Sequence, residues 1–243
     1  MQTTQSLTGK IAIVTGAGSG IGRGIAIALA QEGVAVVACG RRKRPLEDTI
    51  QSVLQIGGRG LAVPADVSKE EDVQRLIQAA LDAFGTLDIL VNNAGIYAGS
   101  HFNTLAVDEW DQVMATNLRG PFLMTRAALP VFREKRSGHI INISSESGLN
   151  YYEADTAYGI TKHALNDLGE YVQRENQELN IRVNTICPGM VVSEMTEDDT
   201  ELNHAKCLYP EDIADLVVWL LTRRTNVKIG TPILIQTMEN PWT

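Results

Sequence analysis

The chain has 243 residues, 44% of them hydrophobic and 21% charged, which is enough for one large globular domain with a full core. Its 29 acidic residues outnumber the 21 basic ones, and the formal net charge of −8 argues against a nucleic-acid backbone as the main partner. No apolar run approaches the roughly 20 residues that span a bilayer, so no membrane association is expected.

Residues 1–7 (MQTTQSL) have neither the basic start nor the apolar stretch of a signal peptide. Residues 10–15 (KIAIVT) predict the first strand, and TGAGSGIGRG follows it directly. Glycines at 16, 20 and 22 permit a tight turn that brings backbone N–H groups up to an anion, at the start of a helix predicted over 20–31. The spacing is Gly-x3-Gly-x-Gly rather than the better-known G-x-G-x-x-G, and a glycine turn that merely packs helix on strand remains the alternative. The second strand, 34–39 (VAVVAC), runs into Gly40 and then Arg41, Arg42, Lys43 and Arg44, with Pro45 expected to open a helix over 46–55. A helix start prefers acids, so this basic cluster is electrostatically reversed unless an anion joins it.

Strands follow at 60–64, 87–91, 139–144, 181–187 and 232–236, with helices at 69–84, 108–136, 156–179 and 210–221. Gly33, Gly57, Gly58, Gly85 and Gly138 stand where helices are expected to end. Each strand is nearly continuously apolar, as in strands covered on both faces, and the strand-helix alternation implies right-handed crossovers. The expected fold is α/β: a single-domain, Rossmann-like doubly wound sheet of about seven parallel strands with helices on both faces, spanning 1–243. Cys39, Cys187 and Cys207 are odd in number and lack CxxC spacing, so they read as reduced thiols of a cytoplasmic protein.

The chemistry concentrates near YGITK, where a helix places Tyr158 and Lys162, four residues apart, on one face. A phenol with a pKa near 10 exchanges protons poorly at neutral pH, and a neighbouring ammonium is expected to pull it down. Ser145, at the end of the fifth strand, is placed to donate to a carbonyl oxygen as charge develops there. Ser144 and Ser147 are its competitors, Ser144 being the better strand-end structural hydroxyl.

Taken together, TGAGSGIG, NNAG (residues 92–95), Asp66, Asn117, SESG from Ser145, YGITK and Pro188-Gly189 resemble the short-chain dehydrogenase/reductase family over essentially the whole chain. The resemblance implies a catalytic tetrad of Asn117, Ser145, Tyr158 and Lys162, with Ser145 thirteen residues before the tyrosine. In the family the asparagine's backbone carbonyl holds a water that links the lysine to solvent; a solvated Asn117 is the plainer reading. The cofactor-binding residues implied are Gly16, Ser19, Gly20, Ile21, Gly22, Asp66, Val67, Asn93, Ala94, Gly95, Tyr158, Lys162, Pro188, Gly189, Val191 and Ser193. Where NAD-preferring members close the second strand with Asp, this chain has Gly40 and then Arg41. Arg41 and Arg42 are therefore expected to meet the 2′-phosphate of NADP(H), with NAD(H) still possible and a solvated patch as the alternative, above all for Lys43 and Arg44.

The resemblance implies an NADP(H)-dependent oxidoreductase moving hydride between nicotinamide and the ketone or secondary alcohol, or aldehyde or alcohol, of a small polar substrate. An acyl-carrier-protein ketone reductase and a non-catalytic NADP-binding sensor or structural subunit are the alternatives. The candidate substrate wall is Tyr97, Glu146, Tyr152 and Met190, under a lid over 190–209. That lid holds Glu194, Glu197, Asp198, Asp199 and Glu201, which either favour cationic substrates or simply face water. No metal site is expected, since neither His101 nor His204 has ligand spacing. The long helices resemble the family's pairing surfaces, implying a homotetramer or dimer. Trp242 is left to pack on its own domain or on a neighbouring subunit.

Overall fold

The computed structural model describes residues 4–197 and 199–242. Residues 1–3, Asp198 and Thr243 lie outside the described residues, which removes Asp198 from the acids discussed below and leaves the start of the MQTTQSL segment undescribed. Seven strands, β1 (Ile11–Thr15), β2 (Ala35–Gly40), β3 (Arg59–Pro64), β4 (Ile89–Asn92), β5 (Gly138–Ile143), β6 (Ile181–Pro188) and β7 (Ile233–Ile235), form one sheet in the order β3-β2-β1-β4-β5-β6-β7. Every adjacent pair is parallel.

The apolar runs are explained by two cores, one on each face. Successive strand side chains point to opposite faces: Ala12, Val14, Val36, Ala38, Ile89 and Val91 join one core, and Ile13, Val37, Cys39 and Leu90 the other. The first core is covered by α1 (Gly20–Gln31), α2 (Lys43–Gln55) and α7 (Pro210–Leu221), through Ile25, Leu29, Leu46, Ile213 and Val217. The second is covered by α3 (Glu70–Phe84) and α5 (Gly120–Lys135), through Leu76, Leu123, Met124 and Phe132, with α6 (Thr156–Asn176) beside them. The strand order reverses at β1, which lies between β2 and β4. Chain leaving the carboxyl ends of these strands diverges there and opens a crevice.

Four expectations need correction. The helix expected over 108–136 is broken into α4 (Val107–Met114), a π-helical turn at Ala115–Arg119, and α5. Pro121 has no N–H to offer the carbonyl of Asn117 four residues earlier, so the regular hydrogen-bond ladder is interrupted there and α5 begins with Pro121 in its first turn. Secondly, α2 starts at Lys43, so Pro45 is its third residue rather than its opener, and Lys43 and Arg44 sit inside the first turn. Thirdly, Gly138 does not end α5. Arg136 takes the left-handed conformation (φ 51°), and Gly138 instead makes room for Phe132, whose ring would lie 2.4 Å from a Cβ at that position. In addition, α6 stops at Asn176 and passes into a short 3₁₀ turn at Gln177–Leu179. No helix among the described residues is long and apolar enough to cross a membrane.

The amino-terminal rim of the sheet is tied together by Asp88. Its Oδ2 accepts the Ile11 N–H at 2.9 Å, and its Oδ1 receives Lys135 Nζ at 2.5 Å and Lys10 Nζ at 3.3 Å. Burial pushes this carboxyl upward, but the Lys135 bond and charge, the Ile11 N–H and the Lys10 charge outweigh it and hold Asp88 below the ordinary range. A depressed folded-state pKa adds stability above the unfolded value, about 3.9, which is lost as pH falls through the folded one. Asp88→Asn is expected to cost about 1–3 kcal/mol near neutrality, and urea titrations across pH should show its deficit against wild type closing below about pH 4.

Candidate active site

The glycine loop is shaped by contact. Gly16 has a positive φ of 66°, and a Cβ on Gly22 would lie 2.3 Å from the Gly16 carbonyl oxygen, so neither position admits a side chain. Thr15 anchors the loop to the far side of the crevice: its hydroxyl donates to Val91 O at 3.2 Å and accepts the N–H groups of Asn93 and Ala94, each at 3.0 Å. Asn93 Nδ2 returns a bond to Thr15 O at 2.9 Å, and Thr49 Oγ1 in α2 holds Ala17 O at 2.9 Å. The first turn of α1 carries no acid and the Ser19 side chain caps none of its N–H groups. That is a helix start arranged for an external anion.

The loop forms one wall of a cavity of about 700 Å³, a size suited to a cofactor with a small substrate. Gly16, Ser19, Gly20 and Ile21 line it from the loop, Arg41 and Arg42 from the end of β2, and Asp66 and Val67 from beyond β3. Asn93, Ala94, Gly95 and Tyr97 follow β4, Tyr158 and Lys162 come from α6, and Ser193 from the segment after β6. No group of His, Cys, Asp and Glu among the described residues has the arrangement of a metal site.

At the opposite end from the arginines, the Ser145 side chain lies near the Tyr158 hydroxyl, and its Oγ accepts Ser147 N–H at 3.1 Å. Ser144 Oγ donates instead to Lys162 O at 3.0 Å, a structural bond between β5 and α6. Lys162 Nζ lies 5.2 Å from the Tyr158 ring centre and donates to Ile143 O at 2.9 Å. Tyr97 packs edge-on against Tyr158, with ring centres 5.3 Å apart.

The expected direction of Tyr158 is reversed. Burial pushes its phenol up to about 12, with the nearby Ser145 side chain opposing and the Asp155 charge adding to the rise. Burial likewise brings Lys162 down to about 8. Desolvation, which disfavours each charged form, therefore dominates over the pull expected from the ammonium.

Asn117 is buried, not solvated. From the π-helical turn its Oδ1 accepts Ile96 N–H at 2.9 Å and its Nδ2 donates to Ile96 O at 2.8 Å, fixing the strand-like stretch after NNAG. A Cβ on Gly95 would lie 3.5 Å from Asn117 Oδ1 and 3.7 Å from Lys162 Nζ, so the three meet.

Several expected residues stand back from the cavity. Gly22 and Ser145 are not among its lining residues, Ser145 standing part-exposed just past the end of β5; Pro188 ends β6, Gly189 N–H bonds Ile235 O at 2.8 Å, and Val191 is buried in the first core. Met190 O accepts Leu208 N–H at 2.9 Å. Glu146 and Tyr152 stand outside the lining, and burial pushes the pKa of both upward. Glu194, Glu197 and Glu201 are exposed, and Asp199 accepts the Glu201 N–H at 3.0 Å. The basic end of α5 is occupied: Arg133 bonds Asn176 Oδ1 at 2.7 Å, Lys135 holds Asp88, and Arg136 reaches Glu178 O at 3.3 Å. The tail lies on its own chain, Pro241 O accepting Asn203 N–H at 2.8 Å.

Residues absent from the sequence expectations also line the cavity, notably Leu46, Thr116, Ile143 and Met195. Thr15 itself carried no expected role, though it is the residue that closes the crevice. A signal for the broken helix was present in Pro121, four residues after Asn117.

A glycine loop at a topological switch point, facing a Ser-Tyr-Lys cluster across one cavity, defines a dinucleotide-dependent oxidoreductase scaffold. The short chain dehydrogenase family model matches residues 10–203, and the chain belongs to that family. It is 40% identical over 224 residues to an uncharacterized oxidoreductase of Staphylococcus aureus strain MRSA252, covering 92% of this chain and 96% of that protein. An uncharacterized oxidoreductase of Staphylococcus epidermidis is 36% identical over 221 residues, 91% of this chain and 94% of the relative. Among solved structures, levodione reductase superposes with a TM-score of 0.83 at 31% identity, over 88% of this chain and 91% of that one. A metagenomic short-chain oxidoreductase in complex with NADP gives 0.84 at 32% identity, over 97% of this chain and 100% of that one.

Replacing Asn117 by Ala leaves both polar groups of Ile96 without their partner. The variant is expected to lose about 1–3 kcal/mol in urea unfolding.

Proposed function

We propose that the chain is an NADP(H)-dependent carbonyl reductase or alcohol dehydrogenase acting on a small polar ketone or secondary alcohol, or an aldehyde or alcohol. The observation that carries this reading is the Ser145–Tyr158–Lys162 cluster at one end of a cavity whose other end holds Arg41 and Arg42. The glycine loop would hold the cofactor's diphosphate, Asp66 and Val67 its adenine, and Asn93, Ala94 and Gly95 its length. Pro188, Gly189, Val191 and Ser193 would support the nicotinamide end. The fit rests on this chain's own features: an uncapped helix start without acids, two glycines that no side chain can replace, and arginines where a ribose phosphate would lie. The NADP bound to the metagenomic neighbour supports the same choice.

When bound, the reduced dinucleotide supplies hydride to the carbonyl carbon. Ser145 donates a hydrogen bond to the carbonyl oxygen, stabilising the charge that develops there. Tyr158 then gives its proton to that oxygen. A phenol pushed to about 12 is protonated at neutral pH, and a lysine at about 8 is still mostly charged, so the cluster is set to donate. Lys162 anchors the ribose and, through the Asn117 carbonyl that Pro121 leaves without its helical donor, connects Tyr158 to a source of new protons.

Tyr97, packed on Tyr158, would wall the substrate, with Glu146, Tyr152 and Met190 further out and the 190–209 segment as a lid. Exposed Ile160 and Tyr171 on α6 and Phe122 on α5 support association through these helices, for which a homotetramer is our reading. Three buried, unpaired cysteines support a reducing, cytoplasmic setting. We favour this reading over the acyl-carrier-protein alternative, because Arg133, Lys135 and Arg136 at the end of α5 already make internal contacts.

Tyr158→Phe is expected to lower kcat roughly 10²–10⁴-fold in NADPH-consumption assays with a ketone and aldehyde panel, while NADPH still binds by fluorescence titration. Full activity in that variant would sink the mechanism. Arg41→Asp is expected to raise KM for NADPH relative to NADH by roughly tenfold or more; an unchanged ratio would return the arginine to the surface.

A further inference from the structure

One contact crosses the mouth of the cavity and has no place in the chemistry above. Glu194, from the segment after β6, reaches back so that its Oε2 accepts Arg42 Nη2 at 2.6 Å and Ser19 Oγ at 2.9 Å. Its two donors lie 152 and 175 residues away in sequence, one past the end of β2 and one in the glycine loop. The neighbouring Ser193 is equally close to the loop, 3.2 Å from where a Gly20 Cβ would stand. The two bonds hold the Glu194 carboxyl below its ordinary range, so it is an anion at neutral pH. Glu197 and Glu201 of the same segment face solvent. Arg41 lines the same cavity and is without an ion pair among the described residues, so one arginine is engaged and the other is free.

Ser19 and Arg42 are also groups assigned above to the cofactor. A carboxylate and a ribose phosphate cannot both take the same guanidinium edge without bringing two anions into contact. We propose that Glu194 is a latch: an internal anion that competes with the 2′-phosphate of NADP(H) for Arg42 and Ser19 and must let go when that cofactor binds. NAD(H), lacking the phosphate, has nothing with which to displace it. Glu194 therefore narrows the preference for NADP(H) below what two free arginines would give, and it couples cofactor choice to the position of residues 193–195. This inference rests on the reading of the cavity as an NADP(H) site.

The rival arrangement is that Glu194 stays in place and accepts the ribose hydroxyls, replacing the acid that Gly40 lacks. Equilibrium titrations of NADPH, NADH and 2′,5′-ADP, followed by fluorescence, separate the two. Glu194→Gln keeps the shape of an exposed side chain, so folding is not at stake. It is expected to tighten NADPH and 2′,5′-ADP by roughly two- to fivefold, the scale of an exposed ion pair, while NADH changes less. In an Arg42→Ala background the same substitution should have a smaller effect on NADPH, as a coupled pair requires; an undiminished effect overturns the role of Arg42 in the latch. Unchanged or weaker NADPH binding in Glu194→Gln overturns the latch, and a selective loss of NADH affinity assigns the carboxylate to the ribose hydroxyls instead. If wild type binds NADPH no tighter than NADH and does not bind 2′,5′-ADP, the cofactor reading itself fails, a result separate from either.

Discussion

Three hydrogen bonds converge on the hydroxyl of Thr15, and the geometry of the site depends on them. One is donated to Val91 O, and two are accepted from the N–H groups of Asn93 and Ala94. The sheet splits at this point, with β2 on one side of β1 and β4 on the other, so the loops that follow β1 and β4 would otherwise part. Thr15 pins them to each other across the gap. The glycine loop then has a fixed floor, and Asn93, whose amide returns a bond to Thr15 O, sits against Gly16 and Gly22 too closely for any side chain there. From the same stretch Ile96 is held by Asn117, which brings the π-helical turn into register with Gly95 and Lys162. A single hydroxyl thus links strand order to the placement of groups on four different elements.

The cavity has a dry end and a wet end. At the dry end burial governs: it raises Tyr158, lowers Lys162, and raises the carboxyls of Glu146 and Asp155, so each group is moved toward its neutral form. Among the described residues Asp155 Oδ1 has no hydrogen-bond partner, in keeping with a carboxyl whose burial favours the neutral form. At the wet end Arg42 and Glu194 keep side-chain exposures of 62% and 50% and remain charged. Proton chemistry is thereby kept where water is scarce, and ionic recognition where charges are cheap to maintain.

Much of this was legible in the sequence because its causes are local. Strands covered on both faces are apolar at nearly every position, so the runs at β1 and β2 announce themselves. Tyr158 and Lys162 are one helical turn apart, and Ser145 stands at a strand end, so their meeting follows from backbone geometry. What stayed hidden depends on remote partners. The direction of Tyr158 is set by burial under other elements, whereas the sequence displays only the lysine beside it. Glu194 belongs to an acidic stretch with no period, and nothing local distinguishes it from Glu197 or Glu201. The broken helix is an intermediate case: apolar spacing runs on through residues 115–119, but Pro121 marks the fault.

That turn also solves a problem of phase. Its two flanking helices form nearly one rod but serve different neighbours: Val113 of α4 packs with Ala98 and Ala157, while Leu123, Met124 and Phe132 of α5 belong to the sheet. A regular helix advances about 100° per residue, so its apolar stripe cannot be re-aimed midway without adding or removing a residue. The wider π turn takes up one extra residue and rotates everything after it by about that amount. The same insertion turns Asn117 inward toward Ile96. Length in this segment is therefore as tightly constrained as composition: losing one residue between 115 and 119 would swing the sheet-facing side of α5 toward solvent and withdraw Asn117 in the same motion.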